Sequence, residues 1–187
     1  MRGSSGAPVH CNPTVAAVSR DARTGMQNGS PKSNVSGVAD STVVPLTENV
    51  PASNAEFIDP MAGPPAPLPP PKGGTMFRFF QIAPEKNEAG LSKEERDRRM
   101  AGMFEAAGAG HARLSMNRHP SMHRTESVDY IILLQGEVTC LLDVDEVHMK
   151  PFDVLIQRGT NHGWVNYGEE PALLVAVLID AVPLDRV

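Results

Sequence analysis

The fold is decided by the stretch Val128-Asp129-Tyr130-Ile131-Ile132-Leu133-Leu134-Gln135-Gly136-Glu137-Val138-Thr139-Cys140-Leu141-Leu142, in which two short apolar runs meet at Gln135-Gly136. Short runs rich in Val, Ile and Leu that are separated by a glycine are typical of β-strands joined by a tight turn. The pattern continues along the chain, and strands are predicted at 111–116, 128–134, 137–142, 146–149, 154–157, 163–166 and 172–179. Seven short strands at close, regular spacing predict an antiparallel sandwich or barrel.

One further strand and one short helix are predicted before these strands. Met76 to Ile82 is an apolar run of strand length. Ser92 followed by Glu95 forms a capping box, which is a signal for the start of a helix. Gly108 and Gly110 predict where that helix ends.

The N-terminal third of the chain has a different composition. Residues 1–74 are dominated by Ser, Asn, Gly, Pro and Thr, and such a segment buries too little apolar area to offset its chain entropy. We therefore predict a disordered leader over 1–74 and one folded domain over 75–187. The proline tract at 60–71 is predicted to be a stiff spacer, with a docking site for a proline-binding module as the alternative.

The leader has one strand candidate, at residues 42–46, which can pack onto the folded domain. Apart from this segment, the composition gives no reason for the leader to contribute to stability. A chain that begins near Gly73 is accordingly expected to keep the melting temperature of the full-length protein.

Composition excludes several classes of function. The net charge of −5 and the pI near 5.7 argue against a nucleic-acid partner, because a phosphate backbone attracts a basic surface. No apolar run reaches 18 residues, so no membrane span is predicted, and residues 1–20 lack the apolar core of a secretory signal. Cys11 and Cys140 lie in dissimilar settings, which makes a disulfide improbable and indicates a reducing, cytoplasmic compartment.

Two histidines and one carboxylate stand out as candidate metal ligands. His123, Asp129 and His162 all lie at or near the ends of predicted strands. A set of two histidines and one carboxylate with open positions suits a catalytic divalent ion such as Fe, Mn, Ni or Zn. The alternative is that both histidines make local hydrogen bonds and that Asp129 caps a turn.

The spacing of these residues resembles the two sequence motifs of the cupin superfamily, which are small jelly-roll (double-stranded β-helix) barrels. In the second motif, Gly159, His162 and Asn166 take the positions of the glycine, the metal histidine and the closing asparagine. In the first motif, Gly136 is the final glycine and Asp129 takes the position of the glutamate. The resemblance covers residues 76–182 and implies an all-β jelly-roll barrel, a metal site and a homodimer.

The chain departs from the cupin pattern at three places. Gln157 stands where the family usually has proline, and Phe152 where it usually has glycine. Ser121 stands near the place of the first histidine of the family, which leaves His123 as the best match to the second. His119 can replace the missing ligand if the chain bends at Pro120.

Other side chains are candidates for contact with a substrate. Arg158, with Arg124 as the alternative, can bind a substrate carboxylate. Tyr130 and Trp164 can stack on a planar ligand, with core packing as the alternative for both. Glu126 is the second choice for the carboxylate ligand.

The resemblance implies a metal-dependent enzyme that acts on a small oxygenated or carboxylated molecule, with metal ligands His123, Asp129, His162 and His119. Arg158 and Tyr130 would be its catalytic residues. Oxygenase, decarboxylase, isomerase and dehydratase chemistry all occur on this fold. The alternative is a non-catalytic binding protein with a degenerate metal site.

Overall fold

A computed structural model describes residues 67–183, together with two short strands nearer the N-terminus. The strands are β1 (Val15–Val18), β2 (Val43–Thr47), β3 (Thr75–Ile82), β4 (Ser127–Gln135), β5 (Val138–Leu142), β6 (Glu146–Met149), β7 (Val154–Arg158), β8 (His162–Val165) and β9 (Ala172–Asp180). One α-helix, α1 (Lys93–Ala106), and two 3₁₀ turns, Glu85–Glu88 and Gly110–Ala112, complete the described elements.

The strands form two antiparallel sheets. The larger sheet has the order β1-β7-β4-β9-β3-β2, and the smaller has the order β6-β5-β8. Apolar side chains from both sheets form one core, which includes Leu133, Leu155 and Leu174 from the larger sheet and Val138 and Cys140 from the smaller. Two sheets that enclose a shared core confirm the predicted all-β jelly-roll barrel with one helix.

Alternation along β4 determines which side chains enter this barrel. Asp129, Ile131 and Leu133 are buried, whereas Tyr130 between them is exposed. Successive side chains of a strand point to opposite faces, so the buried set lines the interior. Asp129 is the charged member of this inner row, and it lies opposite Gln157 of β7 and Leu178 of β9.

The helix α1 begins where the sequence predicts. The Ser92 side chain accepts from the Glu95 backbone N–H, and the Glu95 side chain accepts in turn from the Ser92 backbone N–H. Phe104 is the buried residue of α1, and it packs with Ala109 and Ala112 in a small apolar cluster. Phe104 thus packs α1 against the rest of the domain, and ion pairs join the helix to Glu85, Glu88 and Arg113.

A turn before β7 places Phe152 in the left-handed region, with φ of 74°. The backbone N–H of Phe152 donates to the Leu133 carbonyl at 2.6 Å, and its side chain is exposed. Glycine adopts this conformation without steric cost, whereas a residue with a Cβ is strained by about 1–2 kcal/mol. The geometry thus explains why a family with the same turn would use glycine here.

The structure corrects one predicted strand. Residues 111–116 are not a strand: they begin in the 3₁₀ turn Gly110–Ala112 and continue as irregular chain. His111 is exposed in that turn. The run resembles a strand because it alternates polar and apolar residues, but the alternation is short and follows directly on the glycines at 108 and 110.

Two segments of the predicted leader join the larger sheet. β2 pairs with β3, so the strand indicated at residues 42–46 is present, and β1 pairs with β7 in a register that sets Val15 opposite Gln157. The proline tract up to residue 66 and the rest of the leader lie outside the described residues. The boundary between leader and domain near residue 74 stays a prediction. Across residues 67–183 no helix has the length and apolar character needed to span a membrane.

Removal of the leader tests the role of β1 and β2. A chain that begins at Pro67 lacks both strands and leaves the outer hydrogen-bonding edges of β7 and β3 unpaired. We expect its melting temperature to fall by at least several degrees relative to the full-length chain, because each ladder contributes backbone hydrogen bonds and packing. A chain that begins at residue 40 keeps β2 and should fall between the two. Equal melting temperatures for all three chains would show that the leader strands add no stability.

Candidate functional site

Two histidines that are distant in sequence meet inside the barrel. His123 and His162 exchange backbone hydrogen bonds of 2.8 and 2.9 Å, and their ring centroids are 4.4 Å apart. The chain is closely packed at Gly163, where a Cβ would lie 2.8 Å from the Ser121 Oγ, 3.1 Å from the Met122 Cγ and 3.2 Å from the Met122 backbone nitrogen. A glycine after His162 therefore allows the segment before His123 to cross β8 closely.

Both imidazoles are buried and neutral. Burial, with a smaller contribution from the Arg78 charge, lowers the pKa of His123 to about 4, against the opposing effect of the hydrogen bond to the Ser121 backbone. Burial lowers the pKa of His162 to about 3, with His123 as a second cause. The His123 Nδ1 lies 2.9 Å from the Ser121 carbonyl oxygen, which can only accept, so Nδ1 carries the proton and Nε2 keeps its lone pair.

Gln157 holds the second imidazole. Its side chain is completely buried, and its Nε2 lies 2.7 Å from the His162 Nδ1 and donates to the Thr160 carbonyl at 2.6 Å. The Thr160 hydroxyl donates to Gln157 Oε1 at 2.7 Å, which fixes the orientation of the amide. The His162 Nδ1 is also 3.0 Å from the Thr160 carbonyl oxygen. These contacts all use Nδ1, so Nε2 is the ring nitrogen that they leave open. A glutamine in place of the usual proline thus supports the histidine of the second motif.

Asp129 is a buried carboxyl group with an incomplete set of partners. Burial raises its pKa to about 6, against the opposing effects of hydrogen bonds from Ser127 and Thr125 and of the Arg78 charge. The Ser127 and Thr125 hydroxyl oxygens also lie 2.8 Å apart, within hydrogen-bond distance of each other. The Asp129 Oδ1 is buried and has no hydrogen-bond partner. Such an atom carries an unmet desolvation cost, which is a feature of ligand and catalytic sites.

Arg78 is part of the same interior and was not among the predicted site residues. Its side chain is 8% exposed, and burial lowers its pKa to about 10 while the Asp129 charge acts in the opposite direction. The sequence does hold a signal for it. In β3 the residues Met76, Arg78, Phe80 and Ile82 share one face, so an arginine interrupts an otherwise apolar row.

An aromatic side chain from the helix covers this cluster. The ring of Phe104 lies 4.8 Å from the His123 ring, and the Arg113 guanidinium lies 5.8 Å from the Phe104 ring centre. The segment at Pro67 also reaches inward, because its carbonyl accepts from Arg78 Nη2 at 2.7 Å. α1 and the chain at Pro67 therefore close the site on one side.

The structure does not place His119 with the other histidines. Its Nδ1 lies 2.7 Å from the Ser121 Oγ, and its Nε2 lies 3.3 Å from the Glu85 Oε2. Both ring nitrogens are thus engaged outside the interior cluster. These contacts place the His119 ring beside Ser121 and Glu85, and they do not support its predicted role as the replacement for the first-motif ligand.

Two other predicted site residues lie on the outside of the barrel. Tyr130 alternates with Asp129 along β4 and is 42% exposed, so it does not share the interior with the histidines. Arg158 follows the buried Gln157, is exposed, and lines a surface groove of about 150 Å³ together with Arg124 and Val128. Alternation is the reason for both corrections. Glu126 is exposed too, whereas Trp164 is buried with its ring centre 5.9 Å from that of His162.

The residues present do not fit a resident divalent metal ion. Within the described part of the chain, no group of three His, Cys, Asp or Glu side chains is arranged to hold one. His123 and His162 supply a pair of imidazoles, but Asp129 interacts with Ser127 and Thr125 instead of completing the set. The Arg78 charge acts on both Asp129 and His123, and a fixed positive charge opposes a second cation nearby. The predicted ligand set is therefore not assembled.

Comparison with known proteins gives short but clear similarities. No protein-family model matches the chain. It is 44% identical over 66 residues to "Phomopsin biosynthesis cluster protein D" of Diaporthe leptostromiformis, which covers 34% of this chain and 35% of that protein. It is 39% identical over 67 residues to "Cupin-domain-containing oxidoreductase virC" of Hypocrea virens, covering 34% of each. It is 36% identical over 63 residues to "Cupin-domain-containing oxidoreductase fogC" of Aspergillus ruber, covering 32% of this chain and 31% of that one.

These matches span about a third of the length of the curated relatives. Among solved structures, a cupin 2 domain-containing protein from Halorhodospira halophila covers 78% of this chain and 85% of its own at 14% identity, with a TM-score of 0.36. This structural similarity is weak, and nothing about the function of this chain follows from it. Two of the relatives are named as cupin-domain-containing oxidoreductases, so about a third of this chain is similar to cupin-domain proteins.

Proposed function

We propose that the chain is a cupin enzyme that binds a small oxygenated molecule in the barrel interior and moves a proton on it through Asp129. The observation that carries the proposal is the unpartnered, buried Oδ1 of Asp129. Relatives named as cupin-domain-containing oxidoreductases support an enzyme of this family. Their similarity covers only a third of the chain, so the reaction itself is inferred from the site.

Asp129 is the interior group best suited to take up and release a proton near neutral pH. Its pKa of about 6 lies close to the working range, whereas the imidazoles have pKa values of about 4 and about 3. A general acid or base works best when its pKa is near the operating pH. His123 would accept a hydrogen bond from the ligand at Nε2, and His162, held by Gln157, would form the adjacent wall.

The burial of the site also favours a catalytic protein over a non-catalytic binding protein. Phe104 packs against the His123 ring, the Pro67 carbonyl accepts from Arg78, and the polar groups of the cluster are buried. Exclusion of water strengthens electrostatic interactions with a bound molecule.

Loss of proton transfer in Asp129→Asn is the direct test of this function. We expect the wild-type protein in D₂O to exchange deuterium into small aldehydes and ketones beside the carbonyl, as followed by proton NMR. The variant should lose about 100-fold of this rate, the low end of the effect of a general base. Glu137→Gln, which changes an exposed carboxylate, is the matched control. Equal exchange in wild type and Asp129→Asn would overturn the assignment.

The charge states of the site predict how stability depends on pH. His123 and His162 have lower pKa values in the folded chain than the ordinary histidine value of 6.5. The unfolded chain therefore binds more protons, and acidification below pH 6.5 favours it. Asp129 has a higher pKa in the folded chain, about 6 against the ordinary value of 3.8. Between pH 3.8 and about 6 the folded chain therefore holds more of this proton, which opposes the effect of the histidines. Near pH 5 these three groups together leave about one extra proton on the unfolded chain, or about 1.4 kcal/mol lost per pH unit.

Urea unfolding between pH 4 and 6.5 isolates these contributions as differences between variants. Asp129→Asn removes the carboxyl group whose raised pKa opposes the effect of the histidines. The stability of this variant should therefore fall more steeply on acidification than that of the wild type. His162→Gln should fall less steeply, and His148→Gln, which changes an exposed histidine, should match the wild type. Parallel curves for all four proteins would contradict the buried, neutral state of the imidazoles.

Metal dependence stays a prediction, and it has its own test. A metal-dependent mechanism would use His123 and His162 as ligands and would need a third that the described arrangement does not supply. We expect elemental analysis of protein purified without chelators to give less than one tightly bound ion per chain. One ion per chain that is lost in His162→Ala and kept in His148→Ala would show that a ligand set forms and would restore the metal-centred mechanism.

A further inference from the structure

Two opposite charges lie inside the barrel without touching. Arg78 on β3 and Asp129 on β4 are 8% and 4% exposed, and β9 runs between their strands. Leu178 of β9 lies opposite both Asp129 and Met76, so Arg78 is two residues along the same inner face. Among the ion pairs within 4.0 Å in the described part of the chain, none joins Arg78 to Asp129.

Each of the two side chains has a buried polar atom without a partner. For Arg78 this atom is Nε, since Nη2 already donates to the Pro67 carbonyl and contacts the Met76 sulfur. For Asp129 it is Oδ1. A buried donor and a buried acceptor that lack partners each lower stability, and a direct pair between them would have avoided that cost.

We propose that Arg78 and Asp129 form a donor–acceptor pair that recognises a small neutral hydroxycarbonyl compound. The carbonyl oxygen of such a compound would accept from Arg78 Nε, and its hydroxyl would donate to Asp129 Oδ1. This assignment rests on the proposed function, because it names the substrate class of the same interior site.

The balance of charge favours a neutral ligand over an anion. Arg78 and Asp129 offset each other, and the two imidazoles beside them are neutral. A bound carboxylate would add a negative charge close to Asp129 in a buried site, where like charges repel strongly. A carbonyl and a hydroxyl group meet both open atoms without adding charge.

The test uses four small molecules that differ in these groups. Hydroxyacetone has both the carbonyl and the hydroxyl, acetone has only the carbonyl, 2-propanol has only the hydroxyl, and lactate replaces the carbonyl by a carboxylate. Trp164 is the single tryptophan of the chain and lies beside His162, so its fluorescence reports binding in the interior. We expect hydroxyacetone to bind at least 10-fold more tightly than any of the other three.

Variants then assign the two groups. Arg78→Met should weaken hydroxyacetone binding by about 10–100-fold, the effect of a lost hydrogen bond to a charged group, and Arg78→Lys should restore part of it. Asp129→Asn should reduce the advantage of hydroxyacetone over acetone. Arg158→Met, which changes an exposed arginine on the outer face, should bind like the wild type. Thermal unfolding of each variant separates loss of binding from loss of folding.

The outcomes distinguish this inference from the function on which it rests. One outcome is that all four molecules bind with equal affinity, and that folded Arg78→Met and Arg78→Lys bind them as tightly as the wild type does. The interior would then be a binding site, but Arg78 and Asp129 would not select its ligand. Lactate binding tighter than hydroxyacetone would overturn the neutral class, because the guanidinium charge would then dominate. If none of the four changes the fluorescence of Trp164, while Asp129-dependent deuterium exchange is present with other carbonyl compounds, the hydroxycarbonyl class is wrong and the proposed function stands.

Discussion

The backbone pairing of His123 with His162 is the constraint on which the interior of this barrel depends. It ties the irregular chain after α1 to β8 through two hydrogen bonds, and the chain is closely packed at Gly163. Once the two segments are joined, the imidazoles must lie together in the interior, away from water. Their neutral state, the support from Gln157 and the cover by Phe104 all follow from that placement.

A polar interior of this kind lowers stability unless its groups are satisfied. Gln157 is satisfied in this sense. Its Nε2 donates to the Thr160 carbonyl and contacts the His162 Nδ1, and its Oε1 accepts from the Thr160 hydroxyl. Arg78 and Asp129 are not fully satisfied, since each keeps an unpartnered atom. Proteins commonly retain such incomplete groups where a ligand completes them. The contrast within one cluster separates the residues that support the site from those that face the ligand.

Strand alternation explains both the successes and the errors of the sequence-based predictions. The runs from Val128 onward gave the strands of the barrel, and Ser92 with Glu95 gave the start of α1. The same alternation, applied consistently, would have placed Tyr130 and Arg158 outside and Arg78 inside. What the sequence alone could not supply is the distance between groups on different strands. Asp129 is six residues from His123, yet its partners are Ser127 and Thr125, and its electrostatic neighbour is Arg78 on another strand.

The strands β1 and β2 lie at the two outer positions of the larger sheet. Open edges of a sheet are templates for pairing with another chain. In this protein the edges of β7 and β3 are already occupied by segments of its own N-terminal region. In a homodimer formed by strand addition at this sheet, the second copy would pair with β1 or β2, or displace one of them. The N-terminal strands therefore occupy the two edges that strand addition by a second copy would use, and a chain without them would leave both of these edges open.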